Sequence, residues 1–368
     1  MNKTFISPRK YIQGEAALED LSKIVIKLAK TPLLVCSDAG KKRVQNVLYK
    51  SFNDIHMKLF FDGFNGECSE NEIKRLMNYA QKHDCDIVIG LGGGKVLDTA
   101  KAVAFYKKIP FIAVPTVASN DGPCLALSVI YNENGSFNKY LLLDHNPDIV
   151  LVDSGIIAKS PTRLLTAGMG DALSTYFEAR ACAKSSSPNL SSGLGTNAAL
   201  ELAYLCYKIL LKDGLEAKLA CDANVVTKAF DNVIEANILL SGLGAESSGI
   251  AAAHAVHNGL TVIKECHNYY HGEKVAFGTL VQLVLENSQD DEINEVLNFC
   301  NSINLPVCLE DLGVKIINKN EMMKVAELTC AEGETVYNMP FNITVENVYS
   351  AIMAADELGK QSKINTIK

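Results

Sequence analysis

Long apolar runs, a basic excess and paired cysteines are all missing from this 368-residue sequence. No run reaches the length of a membrane span, so no membrane partner is expected. The first residues, MNKTFISPRKYIQG, lack the apolar core of a secretory signal, and the expected location is cytoplasmic. Lys and Arg number 35 against 42 Asp and Glu, a net charge of −7. A nucleic-acid partner would need clustered basic residues to neutralise phosphates. The compact clump Lys41-Lys42-Arg43 reads instead as a solvated turn. The eleven cysteines are scattered and form no C-x-x-C pair. They read as reduced thiols, mostly small buried apolar side chains.

The familiar phosphate loops are missing too. In DIVIGLGGGKVLDTAKA (86–102), Gly90 and Gly92 are followed by Lys95 where G-x-G-x-x-G needs a third glycine. Gly94-Lys95 has neither the spacing nor the Ser or Thr of a Walker A loop. What is present is a glycine-rich turn between a strand pattern and a helix pattern.

With 48% hydrophobic residues, the chain has material for two cores, and its length suits two domains. Residues 1–160 alternate β-rich runs with helical spacing. The runs are LLVCS (33–37), KLFFD (58–62), DIVIGL (86–91), FIAVPT (111–116), LSVIY (127–131) and DIVLVD (148–153). This predicts an α/β domain with a parallel sheet. Residues 161–368 carry long Ala- and Leu-rich helical patterns and predict an all-helical domain. The default place for a ligand is a cleft between the two.

Ligands of open α/β sheets bind beyond the carboxyl ends of strands. Gly92, Gly93 and Gly94 sit there and would let a pyrophosphate approach the first N–H groups of the next helix. A plain tight turn is the alternative. The following strand ends in a polar loop with Thr116, Ser119, Asn120 and Asp121. Two such loops at neighbouring strand ends look like a dinucleotide site, with Lys95 and Asp98 of the intervening helix as further candidate contacts.

The second half concentrates four of the seven histidines, His254, His257, His267 and His271, within eighteen residues. Asp171 lies in GMGDALSTYFEA (168–179), expected near a Gly-rich helix start. A carboxylate and two imidazoles would supply three ligands to a divalent metal and leave a position open, as catalytic sites do. The plain alternatives are packed core histidines and an N-capping aspartate. Spacing alone does not say which histidines ligate.

The chain resembles the bacterial glycerol dehydrogenases of the iron-containing (group III) alcohol dehydrogenase superfamily. The resemblance runs nearly end to end, through SPRKYIQG, GLGGGKVLDTAKA, PTVASNDGPC, GMGDALSTYFEARAC, AAAHAVHNGL, YYHGEKVAFGTLVQLVLEN and CAEGETVYNMP. It implies a dehydroquinate synthase-like architecture, with an NAD-binding α/β domain and a helical metal-binding domain. It implies oxidation of glycerol and related vicinal diols to dihydroxyacetone-type products, with assembly into a large homo-oligomer, eight copies being the candidate number. By position the resemblance makes Asp171, His254 and His271 the metal ligands. It gives the pyrophosphate to the glycine turn, the nicotinamide side to Thr116, Leu127, Val129 and Tyr131, and the substrate hydroxyls to Asp121. Iron-dependent relatives carry a further His where Thr175 stands, and three ligands suit zinc. Such an ion would act as a Lewis acid on a substrate hydroxyl, with hydride passing to the nicotinamide.

Three departures stand out. Ser37 occupies the place of the ribose-binding aspartate, which puts the choice of NAD over NADP on Asp38. Leu125 replaces a serine beside the nicotinamide. Ala245 replaces a phenylalanine of the glycerol pocket, which predicts better turnover of larger diols such as butane-2,3-diol. Competing readings are a glycerol 1-phosphate dehydrogenase, a non-redox NAD- and metal-dependent cyclase on the same architecture, and a binding protein without catalysis.

Overall fold

The structure, a computed structural model, describes residues 1–366. The chain divides into two compact units. One comprises Ser7–Ser160 and Ala223–Val226, the other Met1–Ile6, Pro161–Asp222 and Thr227–Lys368.

The first unit runs β1 (Tyr11–Gly14), α1 (Leu21–Val25), β2 (Pro32–Cys36), α2 (Asp38–Asp54), β3 (Phe60–Gly63), α3 (Glu70–Lys82), β4 (Ile87–Gly92), α4 (Gly94–Lys107), β5 (Phe111–Pro115), β6 (Leu127–Tyr131), β7 (Phe137–Leu142), β8 (Ile149–Asp153) and α5 (Ser154–Ile157). Six strands form one parallel sheet in the order β1-β8-β5-β4-β2-β3. β2, β5 and β8 are buried along their whole length, and β4 up to its last residue. This is why they read as unbroken Val/Ile/Leu runs rather than alternating ones. Leu34, Ile87, Ile89, Ile112, Val114 and Leu151 meet Leu18, Leu21, Leu48 and Phe52 in one core.

LSVIY forms a strand as expected, but outside this sheet. β6 pairs antiparallel with β7, which the sequence reading missed because β7 is almost wholly exposed. The edge strand β1 was missed as well; it is short and only half-buried. Sequence order reverses between the neighbours β2 and β4: β3 lies outward of β2, whereas β5 lies on the other side of β4. That is the switch point where such sheets bind ligands.

The second unit is built of helices α6 (Thr162–Ser185), α7 (Asn197–Asp222), α8 (Lys228–Glu235), α9 (Ser241–Ser248), α10 (Ala252–Leu260), α11 (His271–Leu285), α12 (Asp290–Ser302), α13 (Lys319–Thr329) and α14 (Val345–Thr366). A π-helical turn, Ala236–Leu240, joins α8 to α9. Small residues let α6, α10 and α11 meet backbone to backbone. A Cβ on Gly272 would fall 1.8 Å from the Ala167 carbonyl oxygen, one on Gly170 would fall 2.4 Å from that of Gly272, and one on Gly278 would fall 2.3 Å from that of Ala253. Among the described residues no helix is long and apolar enough to cross a membrane.

Candidate metal centre and cofactor loops

Asp171 stands in the middle of α6, whose N-cap is Pro161, so it is not the helix-start residue the glycines suggested. Gly170 is there to admit α11, not to begin a helix. The aspartate is 2% exposed, and neither carboxylate oxygen has a hydrogen-bond partner. Instead, two imidazole nitrogens converge on it. His254 Nε2, from α10, lies 3.4 Å from Asp171 Oδ1, and His271 Nε2, the first residue of α11, lies 3.1 Å away. Both contacts are at ion-pair distance. One atom from each residue falls in a cluster no more than 4.8 Å across. A buried carboxylate left without donors is costly, and two imidazoles with it make a set that a divalent cation completes.

Glu178, one further pair of turns along α6, supports the cluster. It is fully buried. Its Oε2 lies 2.6 Å from His254 Nδ1 and accepts from Ser174 Oγ at 3.1 Å. Its Oε1 accepts from the backbone N–H groups of Ala251 and His254, at 2.8 and 3.0 Å, where α10 begins. In a metal-bound state this carboxylate would accept the Nδ1 proton of His254 and leave Nε2 for the ion, a recurrent support of metal-bound histidine. The sequence reading missed Glu178. Its signal was the seven-residue step from Asp171, two helical turns along the same face.

Burial pushes the Asp171 carboxyl up, yet His271 and His254 more than offset it and hold it below the ordinary range. Burial lowers the His254 imidazole, but Glu178 and Asp171 carry it well above its ordinary value. His257 is driven well below by burial and by His271, Lys274 and His254. His257 lies behind His271 rather than in the cluster, with Nε2 3.1 Å from His271 Nδ1. His267 is exposed and its Nε2 contacts the Thr261 carbonyl at 2.8 Å. Thr175 turns to Ser241, Oγ to Oγ at 3.0 Å. Ala245 is buried on α9.

In the sheet unit, Asp38, the glycines 92–94 and Thr116 lie at or just past the carboxyl ends of β2, β4 and β5, whereas Leu127, Val129 and Tyr131 lie on β6. Gly92 pairs with Pro115 across β4 and β5, and Thr116 N donates to Gly92 O at 3.0 Å. Gly92 needs its missing side chain for packing, since a Cβ would meet Val96 at 2.8 Å. Gly93 and Gly94 do not: a Cβ there would find its nearest neighbours at 3.6 and 3.5 Å. Their bareness leaves an open cradle at the N-terminus of α4, which has no side-chain cap. The unspent N–H groups of such a terminus suit a phosphate.

Asp38 is exposed at the first position of α2, while Ser37 is the N-cap, accepting from Gly40 N at 3.1 Å. Leu127, Val129 and Tyr131 share the half-exposed face of β6, whereas Leu125 is buried just before it. Ser119 and Asp121 are half-exposed in the loop after β5, where Asp121 O accepts from Cys124 N. Two of the expected cofactor contacts are engaged within the protein. Lys95 pairs with Glu67 at 2.6 Å. Asp98 accepts from Val129 N at 3.2 Å and pairs with Lys101 at 3.0 Å; burial raises its carboxyl above the ordinary range. Lys101, buried, also donates to the carbonyls of Gly122, at 2.9 Å, and Leu127. Asp98 and Lys101 therefore tie α4 to the loop and strand that follow β5, a role spacing did not reveal.

A parallel sheet unit with a glycine cradle at its switch point and a helical unit with a three-donor cluster are the parts that a dehydrogenase using a nucleotide and a metal ion needs. The comparisons narrow that class. Residues 8–154 match the family model described as iron-containing alcohol dehydrogenase. The chain is 50% identical to a glycerol dehydrogenase of Citrobacter freundii over 98% of its own length and 99% of the relative's. The structure of a probable glycerol dehydrogenase from Sinorhizobium meliloti superposes with a TM-score of 0.90 at 42% identity, covering 98% of this chain and 99% of the other. That of glycerol dehydrogenase from Schizosaccharomyces pombe gives 0.95 at 36% identity, covering 99% and 93%. The chain belongs to the glycerol dehydrogenases of the iron-containing alcohol dehydrogenase family.

Proposed function

We propose that this protein is an NAD-dependent polyol dehydrogenase that reversibly oxidises glycerol and related vicinal diols to the hydroxyketone, with zinc held by Asp171, His254 and His271. The observation that carries the reading is the orphaned Asp171 carboxylate facing two imidazole Nε2 atoms. Bound at these residues, a divalent cation supplies Lewis acidity to a substrate hydroxyl, and a nicotinamide cofactor supplies the hydride acceptor.

The chain's own residues do the rest. Glu178 sets the tautomer and orientation of His254. Gly93 and Gly94 admit the pyrophosphate to the first N–H groups of α4. Asp38 accepts from the adenosine ribose. Thr116, Ser119, Leu125, Leu127, Val129 and Tyr131 border the nicotinamide half, and Asp121 accepts from the substrate hydroxyls. Asp98 and Lys95 act on the cofactor through β6 and Glu67. Among the described residues no cysteine forms a disulfide, and ten of the eleven are buried, which suits a reducing cytoplasm. Assembly into a homo-oligomer belongs to the same proposal.

The test follows absorbance at 340 nm with chelator-stripped protein, glycerol, NAD or NADP, and zinc or iron(II) added back. NADH formation restored by zinc is the expected result. Turnover restored only by iron overturns the zinc assignment. Silence with glycerol in every combination, from folded protein, overturns the substrate assignment, and glycerol 1-phosphate is then the next substrate.

A further inference from the structure

His271 is backed by a line of side chains that ends at Glu334. His271 Nδ1 lies 3.1 Å from His257 Nε2, and His257 Nδ1 lies 3.1 Å from Asn258 Oδ1. Asn258 Nδ2 donates to both Glu334 oxygens, at 3.0 and 3.3 Å. None of these four residues is exposed except in part, and His271 alone belongs to the donor cluster.

The direction of every bond in this line follows from its far end. A carboxylate only accepts hydrogen bonds. The Asn258 amide must therefore turn its NH2 to Glu334 and its oxygen to His257; the opposite flip would set two acceptors against each other. The amide oxygen also only accepts, so His257 carries its proton on Nδ1. A neutral imidazole protonated there has a lone pair on Nε2, which accepts from the Nδ1–H of His271. That leaves His271 Nε2, the atom 3.1 Å from Asp171 Oδ1, with its lone pair directed into the donor cluster.

We propose that Glu334 and Asn258 are positioning residues that fix, through His257, the one tautomer in which His271 can bind a metal ion. The two imidazoles of the centre are thus set by two carboxylates, His254 directly by Glu178 and His271 at a distance by Glu334. The inference rests on the reading of Asp171, His254 and His271 as a metal site.

Zinc affinity of the metal-stripped protein, measured by competition with a chromophoric chelator, tests it without recourse to turnover. Asn258→Leu removes the acceptor for His257 and is expected to weaken zinc binding at least tenfold, the scale seen when outer partners of metal ligands are lost. The double variant Asn258→Asp with Glu334→Gln exchanges carboxylate and amide. It keeps an acceptor towards His257 and a donor–acceptor bond between the two positions, so wild-type affinity is expected. Wild-type affinity in a folded Asn258→Leu variant, or a double variant tenfold weaker than wild type, overturns the proposal. If Asn258→Leu does not fold, Asn258→Ala takes its place, with the same tenfold loss expected and wild-type affinity overturning the proposal. His271→Ala separates the other failure: if it binds zinc as tightly as wild type, the metal site itself is misassigned.

Discussion

Glu178 and Lys101 are buried charges that touch no expected ligand directly, yet each fixes residues that do. Replacing Glu178 by Gln keeps the shape and an oxygen for the N–H groups of Ala251 and His254, but presents an NH2 to His254 Nδ1. The histidine then favours the wrong tautomer. Zinc affinity should fall about 10- to 100-fold, read by chelator competition; an unchanged affinity would show that Glu178 only packs. Replacing Lys101 by Met strips a donor from the Gly122 and Leu127 carbonyls and leaves Asp98 without its cation. Breaking a buried pair from one side costs about 3–5 kcal/mol, here concentrated in the loop after β5. The expected outcome is a loss of NAD affinity of at least tenfold with zinc affinity unchanged, measured by equilibrium titration of each. Histidines are few and clustered, which drew attention to His254, His257, His267 and His271, but only the family resemblance singled out Asp171, His254 and His271 among the candidates. The sequence hid Glu178 and Lys101 because a charged residue on a helix normally reads as solvated, and only their burial shows otherwise.

At the scale of the element, the same glycines that mark the motifs bring the donors together. In GMGDA and YHGEK a glycine directly precedes Asp171 and directly follows His271, and these two glycines meet where α6 crosses α11. A methyl at position 272 would lie 1.8 Å from the Ala167 carbonyl oxygen, so Gly272→Ala forces the helices apart. Overpacking of this kind costs about 1–3 kcal/mol or more. It should lower the thermal midpoint and also weaken zinc binding, since Asp171 and His271 part together. A variant that loses stability but binds zinc as tightly as wild type would show that the crossing is structural only. The central strands β2, β4, β5 and β8 were legible because burial on both faces leaves unbroken apolar runs, whereas the half-buried edge strand β1 was not. The β6–β7 hairpin was not, since β7 carries Phe137, Tyr140 and Leu142 on an exposed surface and offers no buried face to set a period. Asp171 was legible as a residue, but its place in the helix was not: glycine at a close helix crossing and glycine at a helix end look alike in sequence.

At the scale of the whole molecule, the two expected ligands load different units. Every donor of the metal centre lies in the helical unit, one each on α6, α10 and α11, spread from residue 171 to residue 271. The glycine cradle and the loop after β5 lie in the sheet unit. An ion that binds only the folded arrangement opposes its opening by RT ln(1 + [M]/Kd), about 2.7 kcal/mol at a hundredfold excess over Kd. For openings that separate the three donors, this slows amide exchange about a hundredfold. Hydrogen exchange followed by mass spectrometry should therefore show zinc protecting α6, α10 and the start of α11 while leaving α2 and α3 as they were. NAD added without metal should instead protect Gly92–Asp98 and the segment 116–131. Zinc protection centred on the sheet unit would place the ion elsewhere in the chain, and NAD protection confined to the helical unit would remove the cradle at Gly93 and Gly94 as the pyrophosphate site.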